Sequence, residues 1–194
     1  MRLSRLPTNA VGNGLKTVKL TLQVVQTSLH DRQGFDCGLP AVNQFLCEQA
    51  RRQMEQRINR TWVMVSDAPM QGELKPVMGY FTLTQCFIRR EHMPSLAMHK
   101  QFPRYPLPVI KLAWLGVALA HQRGRLRLGE TLLVEALLLA RQIVRLSGLG
   151  VAVTVNPLTQ DSSAFFMRYG FERMQQNTDE MPTLFLPMKT IEAW

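Results

Sequence analysis

A chain of 194 residues, 46% apolar and 19% charged, is long enough for one domain with a substantial core. Charge interrupts its apolar runs before they reach the roughly 18 residues of a membrane span, and the N-terminal MRLSRLPTNAVGNGLK lacks the apolar stretch of a secretory signal. Lysine and arginine total 23 against 14 acids, a net +9 that favours polyanionic partners: nucleic acid, an acidic protein or a phosphate-rich cofactor.

In chain order, residues 1–17 read as a flexible tail and 18–194 as one domain, with no linker to justify a second. VKLTLQVV (18–25) alternates as a first strand. FDCGLPAVNQFLCEQARRQME comes next, with Asp36 near a helix cap and Val42, Phe45, Leu46 and Ala50 at helical spacing. TWVMVS (61–66), the turn SDAPMQGELKP and VMGYFTLTQCFI (77–88) form an antiparallel hairpin. Residues 89–108 hold Pro94, Pro103, Pro106 and Pro108, and predict an irregular loop forming a lip over a site.

A strand at 109–119, a helix at 129–146 and a strand at 150–155 make a β-α-β unit. DSSAFFMRYGF is a short helix with Asp161 or Ser162 near its cap and Gly170 at its end. TLFLPMK (183–189) is the last strand. The sum is an α/β fold with a single mixed sheet.

The chemistry concentrates between Ile110 and Phe171. There a strand feeds a basic, glycine-bearing turn, Arg123-Gly124-Arg125-Leu126-Arg127-Leu128-Gly129-Glu130, that opens a long helix. Unpaired amides and the positive dipole end of a helix converge on an anion, and three arginines add charge. The turn predicts a phosphate-bearing ligand.

Other residues carry plainer readings. Leu132, Leu133, Ala136, Leu137, Ala140 and Ile143 form the core stripe of the long helix. Trp62, Tyr80 and Phe81 belong to the core, with Tyr80 also a cleft candidate, and Trp114 is a packing residue. Further basic residues gather at Arg51, Arg52, Arg57 and Arg60. Cys37, Cys47 and Cys86 are odd in number and lack CxxC spacing, as expected of reduced cytoplasmic thiols. The four histidines form no HxxxH pair, so no metal site is expected.

The element order, with FDCGLPAVNQFL (35–46), VMGYFTLT (77–84), PVIKLAWLGVALAHQ (108–122), AFFMRYGF (164–171) and LFLPMK (184–189), resembles the GNAT acetyltransferases. More narrowly it resembles the toxin branch paired with ribbon-helix-helix antitoxins. The resemblance spans residues 35–191 and implies a mostly antiparallel mixed sheet flanked by helices. It implies acetyl-CoA as donor, the amine of aminoacyl-tRNA as acceptor and arrest of translation. It also implies an antitoxin partner and a cytoplasmic location, and leaves open whether the protein is a monomer or a homodimer. Leu115, Gly116 and Val117 then fall on the strand edge that holds the pantetheine arm, and Gln122 with residues 123–130 in the pyrophosphate turn. Arg89 and Arg90 are tRNA-contact candidates or a plain solvated pair.

The chain departs from that family at several positions. The family turn reads R/Q-x-x-G-x-G/A. Counted back from Gly129, the inner glycine position holds Arg127 and the first position Gly124. Counted from the strand, Gln122 matches and the turn is two residues too long. The family's general-acid tyrosine, in F-Y-x-x-x-G-F, is Phe166 here. A natural non-catalytic relative, a deliberate tyrosine-to-phenylalanine replacement, or another proton source such as Tyr169 or a water each accounts for it. Ala118 and Asn156 stand where toxin relatives often carry acids. Two other readings remain: an acceptor amine on a protein or small molecule, and a silent GNAT-fold protein that binds nucleic acid or a partner.

Overall fold

The computed structural model describes residues 19–67, 74–175 and 182–194. The expected tail therefore lies outside the described residues, as does part of the turn after Ser66. In chain order come β1 (Leu20–Val24), β2 (His30–Asp31), α1 (Pro40–Gln44), a π-turn (Phe45–Gln49) and α2 (Ala50–Glu55). Next are β3 (Asn59–Ser66), β4 (Lys75–Pro76), β5 (Gly79–Ile88), α3 (Leu96–Gln101), β6 (Leu107–Val117) and α4 (Leu128–Ser147). The chain closes with β7 (Ala152–Val155), α5 (Gln160–Arg168), β8 (Glu172–Arg173), β9 (Leu184–Pro187) and α6 (Met188–Glu192).

Seven strands form one sheet in the order β1-β3-β5-β6-β7-β9-β8, antiparallel throughout except for β6 against β7. That single parallel pair is the expected β-α-β unit, with α4 as the crossover. Successive strand residues face opposite sides. Trp62, Met64, Phe81 and Leu83 therefore pack on α4 through Leu132, Leu133 and Leu137, while Val63, Val65 and Tyr80 pack on Phe35, Val42, Phe45 and Leu46. Burial on both faces explains why β3 reads as an unbroken apolar run, VMV after Trp62, and not as strict alternation.

Several sequence expectations need correction. Asp36 is not a helix cap: α1 begins at Pro40 behind Leu39, whose side chain makes no capping bond. The four expected core positions are nonetheless buried, although the helix relaxes into a π-turn between them. Arg32 compensates for that irregularity by donating to the carbonyls of Leu46 (3.3 Å) and Cys47 (2.7 Å). The lip at 89–108 is not irregular throughout, because Ser95 caps α3 by accepting from the Met98 amide. Thr159, not Asp161 or Ser162, caps α5, in a reciprocal box with Ser162. Gly170 does end α5, with φ +85°. The last strand stops at Pro187 and turns into α6.

His30 sits buried beside the β2–β4 pairing, its Nδ1 accepting from the Gln26 amide at 2.9 Å and its Nε2 donating to Gln23 Oε1 at 3.0 Å. Burial first, then the charge of Lys75, holds this imidazole below its usual pKa. The unfolded chain takes up a proton near pH ~6.5 that the folded chain refuses. Stability is therefore complete above that pH and falls as pH drops from it toward the folded value. Thermal melts at pH 7.5 and 5.5 should show an acid-induced loss that shrinks in His30→Gln. An equal loss in both proteins would assign it elsewhere.

Candidate active site

The site begins with a strand that leaves its neighbour. β6 runs beside β5 along its length, but the register shifts between Thr82 and Leu83, so Ala113 is the extra residue on β6. Such a bulge bends its strand and increases the local twist. β7 pairs with β6 only over Ile110–Leu112, so the two parallel strands part at the bulge. Beyond it, the β7-side edge of residues 113–117 has no strand partner. An edge of this kind can hydrogen-bond an extended chain as a further strand would. Leu115, Gly116 and Val117 lie along it.

The FDCG loop anchors the end of β6. Asp36 accepts from the Gly38 amide at 2.8 Å and from Asn43 Nδ2 at 2.7 Å, and these donors hold its carboxyl below the usual carboxylate range. Asn43 in turn accepts from the Cys37 amide at 2.9 Å. The carbonyls so positioned reach across the fold: Asp36 O takes the Leu119 amide (2.9 Å), and Cys37 O takes Gln122 Nε2 (2.8 Å). Gln122 Nε2 also donates to Val117 O at 2.9 Å. Gln122 thus ties the end of β6 to the FDCG loop. Sequence reasoning gave it a phosphate role and missed this one; the local signal available was Asp36 two residues before a glycine, the spacing of an Asx turn.

A groove of about 450 Å³ opens here, lined by Leu119, Ala120, Gln122, Arg123 and Gly124. Arg123, Gly124, Arg125, Leu126 and Arg127 are exposed around it. Arg127 takes the left-handed conformation at φ +45°, which a glycine adopts freely. Arginine thus holds a conformation that suits glycine, at the position that the count back from Gly129 reads as the inner glycine. The Arg127 amide donates to Gly124 O, and Arg127 O accepts from the amides of Glu130 and Thr131. Leu128 and Gly129 stand at the first two helical positions, whose amides have no acceptor inside the helix.

α5 closes the third side. Phe166 is buried, its ring edge-on to Phe165 (centroids 5.2 Å apart) and Phe171 (5.6 Å). A Cβ on Gly129 would stand 3.8 Å from Val117 and 3.9 Å from Phe165, so the end of β6, the start of α4 and α5 meet at one point. Tyr169 donates its hydroxyl to the Glu130 carboxylate, which Arg127 also pairs. Burial, then that hydrogen bond and the carboxylate charge, push the Tyr169 phenol up.

Other candidates have structural partners. Tyr80 is a core residue, with its hydroxyl on Val42 O at 2.7 Å, and Trp114 stacks on Phe45 at 4.8 Å. Arg90 donates to the carbonyls of His99 and Phe102 and pairs Glu91, bracing the lip from inside, while Arg89 is exposed. Asn156 donates to Thr183 Oγ1 at 2.9 Å.

No family profile matches the chain. Solved structures do. A tyrosine-to-phenylalanine mutant of KacT superposes with a TM-score of 0.79 at 29% identity, over 90% of this chain and 98% of that one. AtaT complexed with acetyl-methionyl-tRNAfMet matches at 0.78 and 26%, over 90% and 98%. This is the GNAT acetyltransferase fold in the form of the toxin branch. AtaTR bound with AcCoA matches at 0.73 and 27%, over 90% of this chain and 96% of that one. In this GNAT fold the parted strands, the arginine turn and α5 are contiguous.

Proposed function

We propose that this protein is an acetyl-CoA-dependent N-acetyltransferase of the toxin type. It acts on the primary amine of aminoacyl-tRNA and blocks translation, with turnover lowered because Phe166 replaces the general acid. The observation that carries this reading is the free β6 edge running directly into an arginine-rich helix start, in a chain aligned over 90% of its length with AtaT complexed with acetyl-methionyl-tRNAfMet.

The residues present fit the cofactor. The edge at Leu115, Gly116 and Val117 suits the amide-bearing pantetheine arm, and the Leu128 and Gly129 amides with Arg123, Arg125 and Arg127 suit its phosphates. Acetyl-CoA bound there supplies an activated acetyl thioester. The chain's own part is to align the arm, to present backbone N–H groups to the carbonyl oxygen, and to exclude water behind Phe165 and Phe166. It offers no proton at position 166. The Tyr169 hydroxyl is given to Glu130 at the phosphate turn, so it too is engaged away from the thioester.

The acceptor reading rests on charge as well as on the fold. A net +9, with Arg89 exposed at the start of the lip and Arg51, Arg52 and Arg57 exposed on α2 and the turn after it, suits the phosphates of tRNA. The log of tRNA affinity should fall linearly with the log of salt concentration. Salt-independent binding would point instead to a protein or small-molecule amine. A ribbon-helix-helix antitoxin is the neutralising partner that the toxin type implies. The toxin type implies a cytoplasmic location; separately, no helix among the described residues is long and apolar enough to cross a membrane.

Phe166 also favours a second reading, a silent relative that binds without turnover. Calorimetry of acetyl-CoA, with transfer to charged tRNA measured alongside, tests both. Binding with slow transfer supports the enzyme, whereas no binding removes the cofactor cradle and leaves the binding module.

A further inference from the structure

Arg127 holds a costly backbone conformation. For a residue with a Cβ, the left-handed region is disfavoured by about 1–2 kcal/mol, and among the described non-glycine residues only Arg57 shares it. The side chain that results is not idle. Its guanidinium pairs with the Glu130 carboxylate one turn into α4, and the same oxygen, Oε1, accepts the hydroxyl of Tyr169 from the end of α5. Arg123 and Arg125, on the same turn, form no ion pair among the described residues. One of three arginines facing the phosphate site is therefore already neutralised, by the only acid in the turn.

We infer that Glu130 is an internal counter-anion that sets the protein's affinity for its phosphate-bearing cofactor by competing for Arg127. The inference rests on the cofactor reading given above. A diphosphate arriving at the start of α4 meets the Glu130 carboxylate as a like charge, and gains Arg127 only by drawing it off that carboxylate. Tyr169 adjusts the balance. While its hydroxyl donates to Glu130 Oε1, the carboxylate depends less on Arg127 and releases it more readily. Glu130 and Tyr169 are thus positioning residues, and Arg127 is the ligand whose availability they set. The two positioning residues must act in opposite directions, which a merely structural role for the cluster does not require.

The test is calorimetric titration of the full chain with coenzyme A and, separately, with inorganic pyrophosphate. Glu130→Gln preserves volume and an acceptor for Tyr169 but removes the charge. It should tighten both ligands by about two- to five-fold, the range of a partly exposed ion pair, and steepen the salt dependence of binding. Tyr169→Phe should weaken both. Arg127→Gly removes the disputed cation, so in that background the gain from Glu130→Gln should shrink to what relief of charge repulsion alone provides. Thermal melts of each variant separate altered affinity from loss of fold. Unchanged or weaker binding in Glu130→Gln overturns the inference, as does a shift of the same sign in Tyr169→Phe. Failure of the parent chain to bind either ligand would instead overturn the cofactor reading.

Discussion

Replacing Phe166 by tyrosine should raise the rate of acetyl transfer by about 10²–10⁴-fold, the usual worth of a positioned general acid, and leave acetyl-CoA affinity nearly unchanged. The ring is buried between Phe165 and Phe171, and its neighbour Phe165 faces the start of α4 beside the end of β6. Only the hydroxyl is missing. Its addition carries a cost: a buried phenol without an acceptor destabilises by about 1–3 kcal/mol, so the variant should melt lower until ligand is added. Single-turnover transfer to charged tRNA reads the rate, and calorimetry reads the affinity. An unchanged rate with intact binding would remove residue 166 from the proton path, and with it the proposed lowering of turnover.

Gly116→Ala should destabilise the fold by about 1–3 kcal/mol and weaken acetyl-CoA binding with it. An added Cβ would lie 2.8 Å from Val42 Cγ1, 3.2 Å from Tyr80 and 3.3 Å from Phe35. None of these can yield easily, because Tyr80 is pinned by its bond to Val42 O, stacked on Phe45 and edge-on to Phe35. The glycine lets the helix behind the strand approach closely, and that approach sets where the free edge of β6 lies. Differential scanning should show a fall of about 2–4 °C per kcal/mol. Gly124→Ala is the matched control, since its Cβ would meet only His121 O at 3.7 Å. Equal melts for the two variants would refute this account of Gly116.

The elements with strong periodicity were legible in the sequence. α4 matched its expected span within a residue, because its apolar stripe is a local signal, although Ile143, expected in that stripe, is exposed. The β6-α4-β7 unit came from the same logic. What was not legible depended on contacts distant in sequence. Asp36 looks like a cap because Asp often is one, but its true partners, Gly38 and Asn43, define a braced turn whose value lies in reaching Leu119 and Gln122. Four prolines suggested an irregular lip and hid α3, whose capping serine stands just after one of them. At the site, charge and glycine spacing identified the turn, yet could not reveal that Glu130 neutralises Arg127. That pairing needs the end of α5 beside the start of α4, a tertiary fact.

The link from Gln122 to Cys37 joins residues 85 apart, and Leu119 is bonded to Asp36 beside it. Contacts this far apart in sequence raise the contact order, which slows folding relative to local helices and hairpins. On the ribosome, FDCG emerges and waits, because its acceptor carbonyls have no donors until β6 and the turn behind it are synthesised. The end of β6, and with it the free edge beside the arginine turn, therefore reaches its final position only once nearly two-thirds of the chain has been made.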